Sequence, residues 1–370
     1  MPAEPADPID LSQLLSIDDF EDVARARLTP MAYQYYRGGA GAERTLDGNR
    51  AAFARFCIYY RVLVDVAQRE LATTVLGADV AMPILVAPTA YHRMAHLDGE
   101  LATARGAADA GTLFTASTLS TTPLEEIAAA SAGPKWFQLY VHKDHGLTRS
   151  LVERAVQAGY RALVLTVDAP LLGRRLADLR QGFALPPGLV MANFMNGMEP
   201  GGASVLGESD LARRIAQRHD AALTWRDLEW LRSLSNLPLV VKGIVRPDDA
   251  QRAVQHGAAG IIVSNHGGRQ LDGSPATIDA LPAIVDAVQE RCEVFLDGGI
   301  RWGSDVLIAL GLGARAVLVG RPVLWGLAAG GQAGVARVLS LLRDDLSDAL
   351  ALAGVPRVRD MPRDLVHRRP

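Results

Sequence analysis

The sequence predicts an α/β protein, a (β/α)8 TIM barrel, on two observations: eight short, apolar, β-rich runs, and helix-forming stretches between most of them. Parallel strands need crossover helices, so eight runs alternating with helices close most simply into a barrel. The doubly wound open sheet is the nearest alternative, but it rarely needs eight evenly spaced units. At 370 residues, 49% hydrophobic and 21% charged, the chain has core material for one barrel domain over 1–370.

Residues 1–80 read as a helical extension. DDFEDVARARL has helical spacing, MAYQYYRGGAG ends in glycines, and LDGNRAAFARF is a further short helical piece. The predicted strands follow at PILVAPT (83–89), TLFTAST (112–118), WFQLY (136–140), ALVLTVD (162–168), LPLVVKG (237–243), GIIVSN (260–265), VFLDGG (294–299) and AVLVG (316–320). Stretches such as GELATARGAADAG, LVERAVQAG, PDDAQRAVQHG and GSDVLIALGLG supply helices, several closed by glycine, which tolerates the left-handed cap conformation. Residues 173–222 break the rhythm with GFALPPGL and NGMEPGGAS and are expected to form a largely irregular lid over the barrel mouth.

A net charge of −3 argues against nucleic acid as a partner, since neutralising phosphates takes a basic surface. No apolar run approaches the roughly 18 residues of a membrane span. The opening MPAEPADPIDLSQLL lacks a basic stretch before an apolar one, and the closing VHRRP carries no targeting signal, so a cytoplasmic enzyme is expected. Cys57 and Cys292 lie too far apart in sequence to suggest a metal or disulfide framework, and His92, His96, His142, His145, His219, His256 and His367 show no metal spacing. Of 38 basic residues only Lys135, Lys143 and Lys242 are lysines, which makes Lys242 inside an apolar strand conspicuous.

Barrel active sites lie at the C-terminal ends of the strands, and side chains two apart share a face. That parity turns Gln138 and Tyr140, Thr166 and Asp168, Val240 and Lys242, Ser264 and His266, and Phe295 and Asp297 inward together. A Lys, a His, two Asp and a Tyr at one depth exceed what a purely structural polar layer needs. The loops DGGIRWGSD (297–305) and GRP (320–322) follow strands seven and eight, where barrels most often hold a phosphate. Their glycines let backbone N–H groups approach an anion, and Arg301 and Arg321 add charge with forked geometry. In SNHGGRQLDG (264–273), His266 could act as a base oriented by Asp168, while Arg269 and Arg175 could hold a carboxylate.

SNHGGRQLD, LTVDAPLLGRR, APTAYHRMAH, FQLYVHKD, VKGI, FLDGGIR and GRPV together resemble the FMN-dependent 2-hydroxy acid oxidase and dehydrogenase family, which includes glycolate oxidase, lactate oxidase, mandelate dehydrogenase and hydroxymandelate oxidase. The resemblance runs in consistent order from about residue 18 to about residue 355. It implies FMN at the strand ends, commonly in a homotetramer. By position it makes His266 the base and Asp168 its partner, with Arg175, Arg269 and Tyr35 on the substrate carboxylate and Tyr140 facing the substrate hydroxyl. Lys242 would lie against the flavin N1–C2=O edge. Pro88, Thr89, Ala90, Ser117, Gln138, Thr166 and Ser264 would line the isoalloxazine and ribityl groups, and Asp297, Gly299, Arg301, Gly320 and Arg321 the ribityl and phosphate end.

The implied reaction yields a 2-oxo acid. His266 takes a proton either from the hydroxyl, with hydride transfer, or from Cα. Leu119 stands where glycolate oxidases carry Trp, and Tyr91 follows Pro-Thr-Ala, so a substrate larger than glycolate is expected: (S)-lactate, a longer 2-hydroxy acid or (S)-mandelate. The short, polar strand-four insertion, with no haem-binding segment before the barrel, favours a soluble oxidase that uses O2 and releases H2O2. The alternative is a soluble dehydrogenase passing electrons to a quinone or protein acceptor.

Overall fold

The computed structural model describes residues 9–194 and 220–369. After the helices α1 (Ile17–Arg27), α2 (Pro30–Arg37) and α3 (Arg44–Ala51) come three short strands, β1 (Phe56–Ile58), β2 (Thr73–Val75) and β3 (Ala78–Val80). The barrel is then built from β4 (Ile84–Val86), β5 (Phe114–Ser117), β6 (Lys135–Leu139), β7 (Ala162–Thr166), β8 (Leu239–Ile244), β9 (Gly260–Val263), β10 (Glu293–Asp297) and β11 (Ala316–Val319). These eight strands pair in chain order, and β11 closes onto β4. The expected barrel is therefore the observed one, each predicted run overlapping one strand.

Inside the barrel, Trp136, Val164, Val240, Ile262, Phe295 and Leu318 belong to one apolar cluster, separate from the larger core between strands and helices. Trp136 and Phe295 meet edge to face at 5.3 Å. Gly260 makes room for that pair, since a Cβ there would stand 3.0 Å from the Phe295 ring. Each such large side chain taken fully from water contributes roughly 1.5–3 kcal/mol.

The N-terminal extension, expected as short helices and turns, also contains strands. β1 pairs antiparallel with β12 (Val366–Arg368), so the strand that follows the N-terminal helices is held against the C-terminal strand. β2 and β3 form a hairpin whose Val75 and Val80 pack into the apolar cluster inside the barrel. Three-residue strands are too short to show alternation, and the hairpin turns at Leu76 (φ 46°) and Gly77 (φ 77°), where Asn-Gly or Asp-Gly is the readable signal.

Of the expected lid over 173–222, residues 173–194 are partly regular, with a helix at Leu176–Gln181 and a 3-10 turn at Ala192–Phe194; residues 195–219, His219 included, lie outside the described residues. Among the described residues no helix is long and apolar enough to cross a membrane, and no cluster of His, Cys, Asp and Glu could hold a metal ion.

Candidate active site

The strand ends open into a cavity of about 380 Å³. Every site residue expected from the sequence borders it except Asp168 and Ser264, which stand directly behind His266 and Lys242.

His266 occupies the turn after β9 with φ of 61°, a left-handed conformation that costs a side-chain-bearing residue energy and concentrates at functional sites. The turn is over-determined by its surroundings. Asn265 Oδ1 accepts from Gly268 N (3.1 Å), and Asn49 of α3 and Asn265 exchange amide hydrogen bonds of 2.9 and 2.7 Å. The His266 N–H donates to Ser264 Oγ (3.0 Å). His266 Nδ1 lies 2.7 Å from Asp168 Oδ1. Gly243 permits that approach: it holds φ of 110°, and a Cβ there would stand 2.6 Å from the Asp168 Cβ.

Burial pushes His266 below its ordinary 6.5; Asp168 pulls the other way, while Lys242 and Arg175 add to the depression. Burial alone would raise the Asp168 carboxyl, but His266 and Lys242 outweigh it and hold the group below 3.8. Near neutral pH the pair is thus an ionised carboxylate beside a neutral imidazole. The Nδ1 proton points at Asp168, leaving Nε2 with its lone pair. Tyr140 is raised above 10.0, chiefly by burial and then by Asp168, so its hydroxyl keeps its proton.

Lys242 Nζ donates to Ser264 Oγ (2.9 Å) and pairs with Asp297 at 3.1 Å. Burial would depress this lysine, yet Asp297 and Asp168 outweigh it and raise the ammonium above 10.5. Across the cavity Gln138 Nε2 donates to Thr166 Oγ1 (3.0 Å), and Ser117 Oγ donates to Gln138 Oε1 (3.2 Å).

The opposite wall is cationic. Burial, with Arg175 next, pushes Arg269 down to about 10; burial, with Arg50 next, pushes Arg301 down to about 10; burial, then Arg269 and Arg301, depresses Arg321. Arg301 Nε and Arg175 Nε are buried without hydrogen-bond partners. Asp305 Oδ2 holds the Arg301 loop by accepting from Arg301 N (2.9 Å) and Trp302 N (3.0 Å), and Gly299, at φ of 87°, passes so close to Asn49 that a Cβ would overlap its carbonyl. Arg321 donates to the carbonyls of Tyr36, Gly267 and Gly38 at 2.9, 3.0 and 3.1 Å. Arg269 Nη1 donates to the carbonyls of Tyr35 and Gly38, and the guanidinium carbon Cζ lies 4.9 Å from the Tyr35 ring centroid.

Sequence reasoning missed Phe183. It stacks on Tyr35 at 4.2 Å and 13°, and with Tyr91, Leu119, Leu172 and Leu179 makes the cavity's outer end apolar. It also missed Gln270, whose side chain ties the strand-four loop to the His266 loop by donating to Asp168 O (2.9 Å) and accepting from Gly173 N (2.9 Å). Tyr91 itself is left-handed (φ 62°), and its buried hydroxyl has no hydrogen-bond partner.

A barrel whose strand ends combine a histidine–carboxylate pair, a buried lysine and an arginine cluster is a cofactor-dependent enzyme of the TIM-barrel class. The chain belongs to the FMN-dependent dehydrogenase family, which it matches over residues 24–368. It is 55% identical to the L-lactate oxidase of Nostoc sp. over 96% of this chain and 99% of that one. It is 49% identical to 2-hydroxyacid oxidase 1 of Homo sapiens over 97% and 98% of the two chains. A crystal structure of mandelate oxidase with (S)-4-hydroxymandelic acid superposes with a TM-score of 0.91 at 46% identity, covering 96% of this chain and 99% of that one.

The cavity fits FMN. Arg321, whose charge Arg269 and Arg301 both oppose, calls for an anion such as a phosphate, and Arg301 Nε is a donor left without a partner. Asp297 Oδ1 is a buried acceptor without a partner, as a ribityl hydroxyl would require.

Proposed function

We propose that this protein oxidises an (S)-2-hydroxy acid larger than glycolate to the 2-oxo acid, its FMN being reoxidised by O2 with release of H2O2. The observation that carries the reading is the His266–Asp168 pair opening onto the same cavity as Arg175 and Arg269. When bound, FMN would supply the two-electron acceptor, and O2 would take those electrons on to H2O2.

The residues supply the rest. The forks of Arg175 and Arg269 bind the substrate carboxylate with Tyr35. Arg175 keeps Nε for it, and Arg269 spends only Nη1 on the carbonyls of Tyr35 and Gly38. Tyr140 donates to the substrate hydroxyl oxygen. Nε2 of His266 takes the proton, and Asp168 stabilises the imidazolium that results. Lys242 presents fixed positive charge to the flavin, and Arg301 and Arg321 hold its phosphate end. Leu119, Tyr91 and Phe183 make an apolar seat for a substrate side chain; the chain's similarity to lactate and mandelate oxidases agrees with such a seat. The proposal includes a homotetramer in solution, for which exposed Tyr59, Tyr60 and Leu63 offer apolar surface and light scattering gives the count.

The test is flavin absorbance after anaerobic addition of (S)-lactate or (S)-mandelate, followed by air. Bleaching and rapid recovery with peroxide are expected. Recovery over many minutes would make the protein a dehydrogenase with a quinone or protein acceptor. No bleaching with any 2-hydroxy acid would overturn the roles of His266 and Arg269.

A further inference from the structure

His92 is fully buried and does not border the cavity, yet its ring spans two threonine hydroxyls. Nδ1 lies 2.9 Å from Thr103 Oγ1 and Nε2 lies 2.6 Å from Thr89 Oγ1. Its backbone N–H donates to Glu100 Oε1 (3.2 Å). The buried Glu100 also accepts from Thr121 N (2.7 Å) and from the Thr121 and Thr122 hydroxyls, both at 2.9 Å. The ring is held by the two threonines, and its backbone by a network reaching into the loop after β5.

The direction of each hydrogen bond follows from the donors present. Thr103 Oγ1 donates to Gly99 O (3.3 Å), so it meets the histidine as an acceptor and the ring proton sits on Nδ1. Burial depresses His92 below 6.5 against the pull of Glu100 and of the Thr89 backbone, so the ring carries that one proton alone. Nε2 then accepts, and Thr89 donates its hydroxyl proton to it. Thr89 borders the cavity. With its proton committed backwards, its hydroxyl turns only lone pairs toward the cofactor.

We propose that His92 is a positioning residue that fixes Thr89 as a hydrogen-bond acceptor for an N–H of the flavin. A threonine without this partner rotates freely and donates as readily as it accepts. The inference rests on FMN lying in the barrel-mouth cavity.

The test is the FMN dissociation constant of the apoprotein, followed by recovery of flavin fluorescence, in a double-mutant cycle. Thr89→Val and His92→Phe are each expected to weaken FMN roughly 3–10-fold, and the double variant no more than either alone, because the two residues make one interaction. His92→Gln, whose amide both donates and accepts, is expected to return within about 3-fold of the parent. Thr103→Val, isosteric and away from the cavity, releases the ring proton from Nδ1 and is expected to weaken FMN about 3-fold. It replaces His92→Phe in the cycle should that variant not fold. Additive losses in the cycle would overturn the proposal. A weakened Thr89→Val beside an unchanged His92→Phe would remove His92 alone, whereas an unchanged Thr89→Val would remove the proposal together with the placement of the flavin at Thr89.

Discussion

Two adjacent layers inside this barrel come from the same strands and differ in everything except burial. Trp136, Val164, Val240, Ile262 and Phe295 form the lower layer, and Gln138, Thr166, Lys242, Ser264 and Asp297, two residues further along, form the upper. Val240 is 0% exposed and Lys242 only 4%, so depth does not separate packing from chemistry. Pairing does. The lower layer holds no charge and fills space. The upper layer bears the cost of desolvating a lysine and a carboxylate, offsets part of it with the Lys242–Asp297 contact, and leaves Asp297 Oδ1 without a partner. Groups buried without full satisfaction are places where a fold gives up stability for a site.

The comparison breaks most sharply at the lip of the upper layer. His266→Gln is expected to keep bound flavin and to lower substrate reduction of it by about 10⁴-fold in stopped-flow absorbance, the upper range for a lost general base. Normal reduction would remove His266 from the mechanism. The same base sets the acid limb of kcat/KM. His266 must be neutral to accept a proton and its folded value lies below 6.5, so the rate holds as pH falls to that region and is lost below it. Because the Asp168 carboxylate is the main force opposing that depression, Asp168→Asn moves the limb to still lower pH, along with a fall in rate; a limb moving upward would contradict the assignment.

Within the upper layer, Lys242→Met leaves Asp297 buried and unpaired. Denaturation of the apoprotein should show a loss of about 3–5 kcal/mol, and adding Asp297→Leu should restore most of it. Phe183→Ala, at the apolar end of the cavity, is expected to change the ratio of kcat/KM for (S)-mandelate over (S)-lactate by about 10-fold; an unchanged ratio would remove the ring from the specificity pocket. Smallest is Ile262→Val in the lower layer. It should cost about 0.5–1.5 kcal/mol and leave kcat per folded molecule unchanged, so that a kinetic effect there would erase the distinction between the layers.

The barrel and most of the residues at its mouth were legible in the chain's letters, because both follow from short-range rules. A period of two along each strand is covalent geometry, so Gln138, Thr166, Lys242, Ser264 and Asp297 had to share a face once the strands were recognised. Parallel neighbours then had to bring those faces to one end. The rest came from folding. The β2–β3 hairpin that packs into the barrel interior turns at Leu76–Gly77 and carries no turn signal in its letters. Phe183 lies in a segment without periodicity, and its meaning comes from a Tyr35 ring brought against it by the N-terminal helices. His92 reads as one more histidine without metal spacing until folding places Thr103 on one side of its ring and Thr89 on the other. Such contacts join residues through space rather than along the chain, and no local pattern records them.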